Sequence, residues 1–145
     1  MKKLFCLLIA VLTFSLIIPT VLADDNNKYW FSLNVQCTST DPNAVTYSNE
    51  YVYKSVGNKT IYVWHQVPNG SEDYTNLFHA VKADTGKMLA QKWVTPRLVI
   101  PVSSQGICAD AYYKVAARGN TNHYLYDGLS RVTLDGYFKI NYPDR

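Results

Sequence analysis

Residues 29–142 consist of short runs of alternating apolar and polar side chains, and each run ends near glycine, proline or asparagine. In the first run, Phe31, Leu33 and Val35 fall on one face, while Trp30 falls on the other among polar residues. A period of two residues is typical of a β-strand with one buried face, whereas a helix repeats its apolar positions every three or four residues. The pattern therefore predicts an all-β chain.

The segment 77–94 predicts a β-hairpin. Residues 77–83 and 88–94 alternate on either side of Asp84-Thr85-Gly86-Lys87. This sequence suits a type I turn with Gly86 in the left-handed conformation. A short helix over 87–93 is the alternative, but Thr95-Pro96 would end it after about two turns.

A second hairpin is predicted over residues 50–67. Residues 50–56 and 60–67 are rich in β-branched and aromatic side chains, and Gly57-Asn58-Lys59 between them has the length of a hairpin turn. Both faces of the second run are apolar or aromatic. We therefore expect that strand to lie inside a two-layer structure rather than at its rim.

Three further strands are predicted in the second half of the chain. Residues 97–102 contain Pro101, which lacks a backbone N–H and belongs at a sheet edge or a bend. Residues 107–117 have β character, and residues 130–142 form the last strand, with a phase shift at Gly136 that indicates a β-bulge. Together the runs predict an antiparallel β-sandwich or small barrel of about seven or eight strands.

The first 23 residues predict a cleaved signal peptide. Lys2 and Lys3 precede an uncharged apolar run, and Val21-Leu22-Ala23 places small residues where a signal peptidase cuts, so cleavage is expected before Asp24. An uncleaved anchor is the alternative, because residues 4–23 are about long enough to span a bilayer. No later stretch approaches that length. We expect residues 24–145 to form one secreted, extracellular domain without a membrane span, and the Met-Lys-Lys start is typical of bacteria.

The charge balance makes nucleic acid an unsuitable partner. The chain has 14 basic and 11 acidic residues, but two of the basic residues lie in the leader, which leaves a net charge of +1 for the rest. Phosphate backbones are bound by a one-sided basic surface, which a nearly neutral chain does not supply.

Cys37 and Cys108 are the two cysteines outside the leader. In an oxidising compartment two thiols in one small domain usually join, so we predict a disulfide between them. The alternative is that Cys108 is a catalytic nucleophile that acts together with one of the histidines.

No catalytic or metal-binding motif is evident. His65, His79 and His123 lack the close spacings that place two imidazoles on one metal, although His65 and His79 could converge from neighbouring strands. The sequence has no nucleophile elbow, phosphate loop or His-Glu-x-x-His motif. We therefore assign no catalytic residue, no metal ligand and no cofactor from the sequence.

Five short motifs follow a leader that ends near Ala-Asp-Asp-Asn. They are Phe31-Ser32-Leu33, Tyr51-Val52-Tyr53-Lys54, Tyr62-Val63-Trp64, Tyr112-Tyr113-Lys114-Val115-Ala116 and Val132-Thr133-Leu134-Asp135-Gly136-Tyr137. Their order resembles a family of small secreted proteins of Gram-positive bacteria that is classed only as a domain of unknown function. The resemblance implies export and a β fold, and it supplies no catalytic residues. Two departures are Gly136-Tyr137-Phe138, where the typical member has Gly-Tyr-Trp, and the cysteine pair, which that member lacks.

The aromatic content indicates a function in recognition. The chain has 12 tyrosines and three tryptophans, whose flat faces and polar edges suit sugar rings and protein surfaces. If the predicted hairpin over 50–67 puts them on one side, Tyr51, Tyr53, Tyr62 and Trp64 form an exposed platform. The expected function is non-enzymatic surface recognition, with a cell-wall polysaccharide or another extracellular protein as partner. The alternatives are a secreted antagonistic or membrane-active toxin and a small extracellular hydrolase.

Overall fold

The computed structural model describes residues 27–141. The signal peptide predicted for residues 1–23 and the cleavage site before Asp24 lie outside the described residues, as does Tyr142. The described residues form nine strands and one short helix. These are β1 (Tyr29–Gln36), β2 (Thr46–Tyr47), β3 (Val52–Lys54), β4 (Thr60–Gln66), β5 (Asn76–Lys82), β6 (Met88–Val94), β7 (Ile100–Ser103), β8 (Ala111–Arg118), α1 (Asn122–Leu125) and β9 (Arg131–Lys139).

The strands form two antiparallel sheets that pack as a β-sandwich. Sheet A has the order β1-β9-β4-β7, and sheet B has the order β2-β8-β5-β6 with β3 also paired to β8. The predicted all-β fold is confirmed, and among residues 27–141 the sheets do not close into a barrel. The nine strands exceed the prediction partly because β2 has only two residues, too few for a visible alternation.

The core lies between the inward faces of the two sheets. On β1 the predicted alternation is seen, since Leu33 and Val35 are buried while Trp30 is exposed. Phe78 of β5 projects from sheet B, and its ring centroid lies 5.8 Å from that of Phe31 and 5.0 Å from that of His65 in sheet A. Burying a side chain of this size contributes about 1.5–3 kcal/mol to folding.

The hairpin predicted for residues 77–94 is confirmed. Strands β5 and β6 pair antiparallel, with a register shift between Ala80 and Val81. Gly86 has a φ of 68°, and its N–H donates to the carbonyl of Lys82 at 2.8 Å. Glycine adopts this left-handed conformation without steric cost, which explains its place in the turn.

The hairpin predicted for residues 50–67 is wrong. β3 pairs with β8 in sheet B, whereas β4 pairs with β7 and β9 in sheet A. The chain crosses between the layers over residues 55–59, a link longer than a two-residue hairpin turn. Asn141 holds this link in place, because its side-chain oxygen accepts the N–H of Ser55 at 2.7 Å and its amide donates to the carbonyl of Tyr53 at 3.0 Å.

The predicted edge position of Pro101 is confirmed, but the predicted bulge at Gly136 is wrong. β7, which contains Pro101, pairs with β4 alone among the described strands. Gly136 sits in an unbroken ladder, opposite Phe31 on one side and His65 on the other. Glycine is needed there for a different reason: a Cβ at residue 136 would lie 2.9 Å from the Cα of His65 and would collide with the carbonyl oxygen of Trp64.

The connection before β9 contains α1, a single helical turn of four residues that the alternation pattern did not predict. Within residues 27–141, no helix is long and apolar enough to cross a membrane.

The predicted disulfide is wrong, because both thiols are free in the part of the chain that the structure describes. Cys37 follows β1 beside Gly119, whose N–H donates to the carbonyl of Gln36 at 3.1 Å. Cys108 lies at the opposite end of β8, where its N–H donates to the hydroxyl of Tyr113 at 2.9 Å. From Tyr113 to Gly119 the strand advances roughly 20 Å, far more than a disulfide spans.

The two thiols are expected to react at very different rates. Burial raises the pKa of Cys37 from 9.0 to about 11, whereas Cys108 is exposed. Because the thiolate is the reactive form, we expect Cys37 to react at least about a hundredfold more slowly than Cys108 in the folded protein. A thiol titration of the protein from residue 24 checks this: one thiol should react before unfolding and the second only after it. Two unreactive thiols that respond only to a reductant would restore the disulfide.

Candidate ligand-binding surfaces

The four aromatic residues predicted to form one platform lie on two different faces of the sandwich. Tyr51 and Tyr53 lie on the outer side of sheet B, whereas Tyr62 and Trp64 lie on the outer side of sheet A. The prediction of a single platform is wrong because β3 and β4 belong to different layers. Tyr51 and Tyr53 instead contact an aromatic ring of β8, and Trp64 contacts an aromatic ring of β9.

On sheet A, three rings line up across three neighbouring strands. Trp30 of β1 is opposite Tyr137 of β9, and Tyr137 is opposite Trp64 of β4. The ring centroids are 5.2 Å apart for Trp30 and Tyr137 and 5.4 Å apart for Tyr137 and Trp64, the latter pair stacked at 13°. We call these three residues the aromatic row. Trp30 is 64% exposed, so the row is open at the β1 end and half-buried at the β4 end.

Hydrogen-bonding side chains flank the aromatic row. Ser32, Asp135 and Gln66 occupy the next outward positions on the same three strands. The hydroxyl of Ser32 donates to the carboxylate of Asp135 at 2.6 Å, which fixes that carboxylate beside the rings. Asn34 and Thr133 form the next register pair beyond them. Apolar ring faces therefore lie next to several hydroxyl, amide and carboxylate groups.

A lysine lies over the central ring of the aromatic row. The ammonium group of Lys28 lies 5.2 Å from the ring centroid of Tyr137, a cation–π contact. On the outward positions of β9, Arg131 and Asp135 carry opposite charges, whereas Lys139 is buried. Charges of both signs therefore lie on this face of sheet A.

Sheet B carries a second exposed aromatic group, which we call the tyrosine surface. Its members are between 41% and 63% exposed; they are Tyr47, Tyr51, Tyr53 and Tyr112. The ring of Tyr112 contacts those of Tyr51 at 5.8 Å and Tyr53 at 5.3 Å. The hydroxyl of Tyr53 donates to Asp110 at 2.6 Å, and this bond raises the pKa of Tyr53. The Lys114 ammonium lies 4.7 Å from the ring centroid of Tyr47.

A cleft of about 230 Å³ lies beside the aromatic row, along the edge strand β1 of sheet A. One wall is the N-terminal half of β1, including Trp30 and Ser32, and the other is the segment Ser48, Asn49 and Glu50. Trp30 belongs to the aromatic row, and Glu50 directly precedes Tyr51 of the tyrosine surface. The cleft therefore extends along the edge of sheet A from the aromatic row to the residue that precedes the tyrosine surface.

The histidines do not form an accessible catalytic group. His65 lies on the inward face of sheet A, whereas His79 is buried on the outer side of sheet B, so the suggested convergence of these two residues is wrong. Burial lowers the pKa of His79, and the carbonyl of Pro42, which hydrogen-bonds to the ring, partly opposes this effect. His79 is therefore enclosed by its own sheet and a loop.

His65 instead lies close enough to His123 for their charges to interact. Burial, with a smaller contribution from the charge of His123, lowers the pKa of His65 to about 4. The side-chain amide of Asn76 lies 3.1 Å from Nε2 of His65, and Nδ1 of His123 lies 3.2 Å from the carboxylate of Asp127. Both rings have no exposed surface, so a substrate cannot reach them in this conformation. Among residues 27–141, no group of three or more potential ligand residues could hold a metal ion.

Trp30 and Tyr137 are the members of the aromatic row that the sequence did not identify as candidates. The alternation on β1 already placed Trp30 on the outward face. The same alternation through Val132, Leu134 and Phe138 would have placed Tyr137 outward, had no bulge been assumed at Gly136. What the pattern could not supply is that β9 lies between β1 and β4.

No family model, no curated protein and no solved structure matches the chain.

Proposed function

We propose that this protein is a secreted, non-enzymatic recognition domain that binds the amino-sugar strands of a cell-wall polysaccharide through the aromatic row. The main support for this proposal is that Trp30, Tyr137 and Trp64 lie in register beside a row of hydrogen-bonding side chains. Export is supported by the leader in residues 1–23 and its cleavage sequence before Asp24.

The chemistry of the row matches that of a sugar chain. A sugar ring has C–H faces that pack against aromatic rings and hydroxyl edges that need hydrogen-bond partners. The aromatic row supplies the ring faces for this packing, and Ser32, Asp135 and Gln66 supply the hydrogen-bond partners. β1 and β4 are about 10 Å apart across β9, which is about the length of a disaccharide.

The acetamido group of an N-acetylated sugar suits the same face. Its methyl group can pack against a ring, and its amide can exchange hydrogen bonds with the carboxylate of Asp135 or the amide of Gln66.

Truncating Trp30 is expected to weaken binding by about thirtyfold or more. An aromatic ring that anchors a ligand typically costs about 2 kcal/mol or more when it is replaced by alanine, and Trp30 is the most exposed ring of the row. The experiment uses protein exported with its own leader, whose mass shows whether the chain begins at Asp24. Sedimentation with purified peptidoglycan and titration with N-acetylglucosamine oligomers then compare the natural protein with Trp30→Ala and Trp64→Ala.

Trp93→Ala is the matched control. Trp93 is 45% exposed on β6 of sheet B, far from the aromatic row, and its ring contacts Arg118. This variant should bind as the natural protein does. Absence of binding by the natural protein, or equal losses in Trp93→Ala and Trp30→Ala, would contradict glycan recognition by the row, and capture of a protein in place of peptidoglycan would favour the other partner class.

A further inference from the structure

We infer that one glycan strand passes from the aromatic row through the cleft beside β1 and onto the tyrosine surface, so that a single ligand engages both sheets. This inference rests on the proposed function and extends it from a short binding row to a long path around the edge of the sandwich.

The first step is the continuity of the cleft with the row. Trp30 is both the most exposed ring of the row and part of the cleft wall. A strand that lies across the row from Trp64 toward Trp30 therefore leaves sheet A at the mouth of the cleft. Because β1 pairs with β9 alone among the described strands, the other edge of its N-terminal half borders this cleft.

The second step is the polarity of the cleft. Ser32, Asn49 and Glu50 bring a hydroxyl, an amide and a carboxylate to its walls, and all three side chains are exposed. The edge of β1 adds the backbone polar groups that an edge strand presents. A strand of sugars fits this lining because it carries hydroxyls on both edges and needs partners along its whole length.

The third step is the exit of the cleft. Glu50 on its wall is followed directly by Tyr51, which is 63% exposed and contacts Tyr112. Asp110 and Lys114 lie beside these rings with opposite charges, which suits a polymer without strong charge. Sugar units that emerge from the cleft would therefore meet the same combination of ring faces and polar groups that the row offers.

The path has a length that an experiment can measure. The row spans about 10 Å, the two layers of the sandwich are about 10 Å apart, and the tyrosine surface adds a similar distance, roughly 30 Å in all. Short oligomers cover the row alone. Once an oligomer reaches the tyrosine surface, its second contact is intramolecular, and such linked contacts typically raise affinity by about 10²–10⁴.

The test is a calorimetric titration of N-acetylglucosamine oligomers from the disaccharide to the octasaccharide. The dissociation constant of the natural protein should decrease as the oligomer comes to cover the row. It should decrease a second time, at least tenfold, when the oligomer is long enough to reach the tyrosine surface, with one oligomer bound per domain. The double variant Tyr51→Ala, Tyr112→Ala should bind short oligomers as the natural protein does and lose the gain for long ones.

A second variant and a control keep the result interpretable. Asn49→Trp narrows the cleft while every residue of the aromatic row and of the tyrosine surface is kept, and it should also remove the gain for long oligomers. Tyr124→Ala, Tyr126→Ala changes two exposed tyrosines at α1, outside the path, and should keep it. If the affinity stops increasing once the oligomer covers the row, or if two long oligomers bind per domain, the inference is overturned and the proposed function stays intact. Failure of the natural protein to bind even short oligomers would overturn the proposed function itself.

Discussion

Replacing Gly136 by alanine is expected to destabilise the protein by about 4 kcal/mol or more, a large part of the stability of a typical small domain. The new methyl group would collide with the carbonyl oxygen of Trp64 and would lie 2.9 Å from the Cα of His65 and from the ring of Phe31. Two of these contacts are backbone atoms of β4, which cannot move away without breaking the ladder between β4 and β9. Flexible side-chain rearrangement therefore cannot relieve the strain.

The matched control for this substitution is Gly57→Ala. A Cβ at residue 57 would have no heavy atom within 4 Å, and the residue lies in the link between the layers. We expect that variant to change the free energy of unfolding by less than about 1 kcal/mol. Urea denaturation followed by circular dichroism measures both variants. If the two have the same denaturation midpoint, the close approach of β4 to Gly136 is not a feature of the folded protein.

Acidification is expected to destabilise the protein through His65. The pKa of this buried imidazole is about 4 in the folded protein, whereas its ordinary value is 6.5. Below about pH 6.5 the unfolded chain binds a proton that the folded protein does not bind until about pH 4. As the pH is lowered through this window, the free energy of unfolding therefore decreases, by about 3 kcal/mol in total for this residue.

The substitution His65→Gln isolates this effect because glutamine keeps a hydrogen-bond acceptor for Asn76 but does not titrate. The free energy of unfolding is measured by urea denaturation at several values between about pH 7 and pH 4 for both proteins. The natural protein should lose more stability than the variant over this range, even if the variant is less stable at neutral pH. Parallel pH profiles would show that His65 takes up a proton as readily in the folded protein as in the unfolded one.

Local features of the fold could be predicted because local interactions determine them. The alternation on β1 correctly placed Leu33 inside and Trp30 outside, since a strand turns successive side chains to opposite faces. The turn at Gly86 was correctly predicted because its left-handed conformation is a property of a few neighbouring residues. Neither prediction required any knowledge of the partner strands.

The pairing of distant strands was not predictable in the same way. The link over residues 55–59 resembles a turn, but β3 and β4 find better partners in β8 and β9, far along the chain. The same limit applies to the cysteines, because the compartment predicts whether two thiols can oxidise but not whether Cys37 and Cys108 are adjacent. The aromatic row was missed for this reason too, since its three strands are brought together by β9 alone.

The central position of β9 in sheet A also determines when the protein can fold. β9, the last of the described strands, lies between β1 and β4, so a growing chain cannot complete this sheet while residues 131–139 are missing. Pairing β1 with β9 closes a loop that contains all the chain between these strands. This closure costs entropy before the contacts of β9 compensate for it, so the step is slow compared with formation of the β5–β6 hairpin. Synthesis from the N-terminus therefore leaves Leu33 and Val63 without their neighbours on β9 until that strand has been made. Sheet A is therefore completed only when β9 becomes available, although β4 and β7 can pair before that.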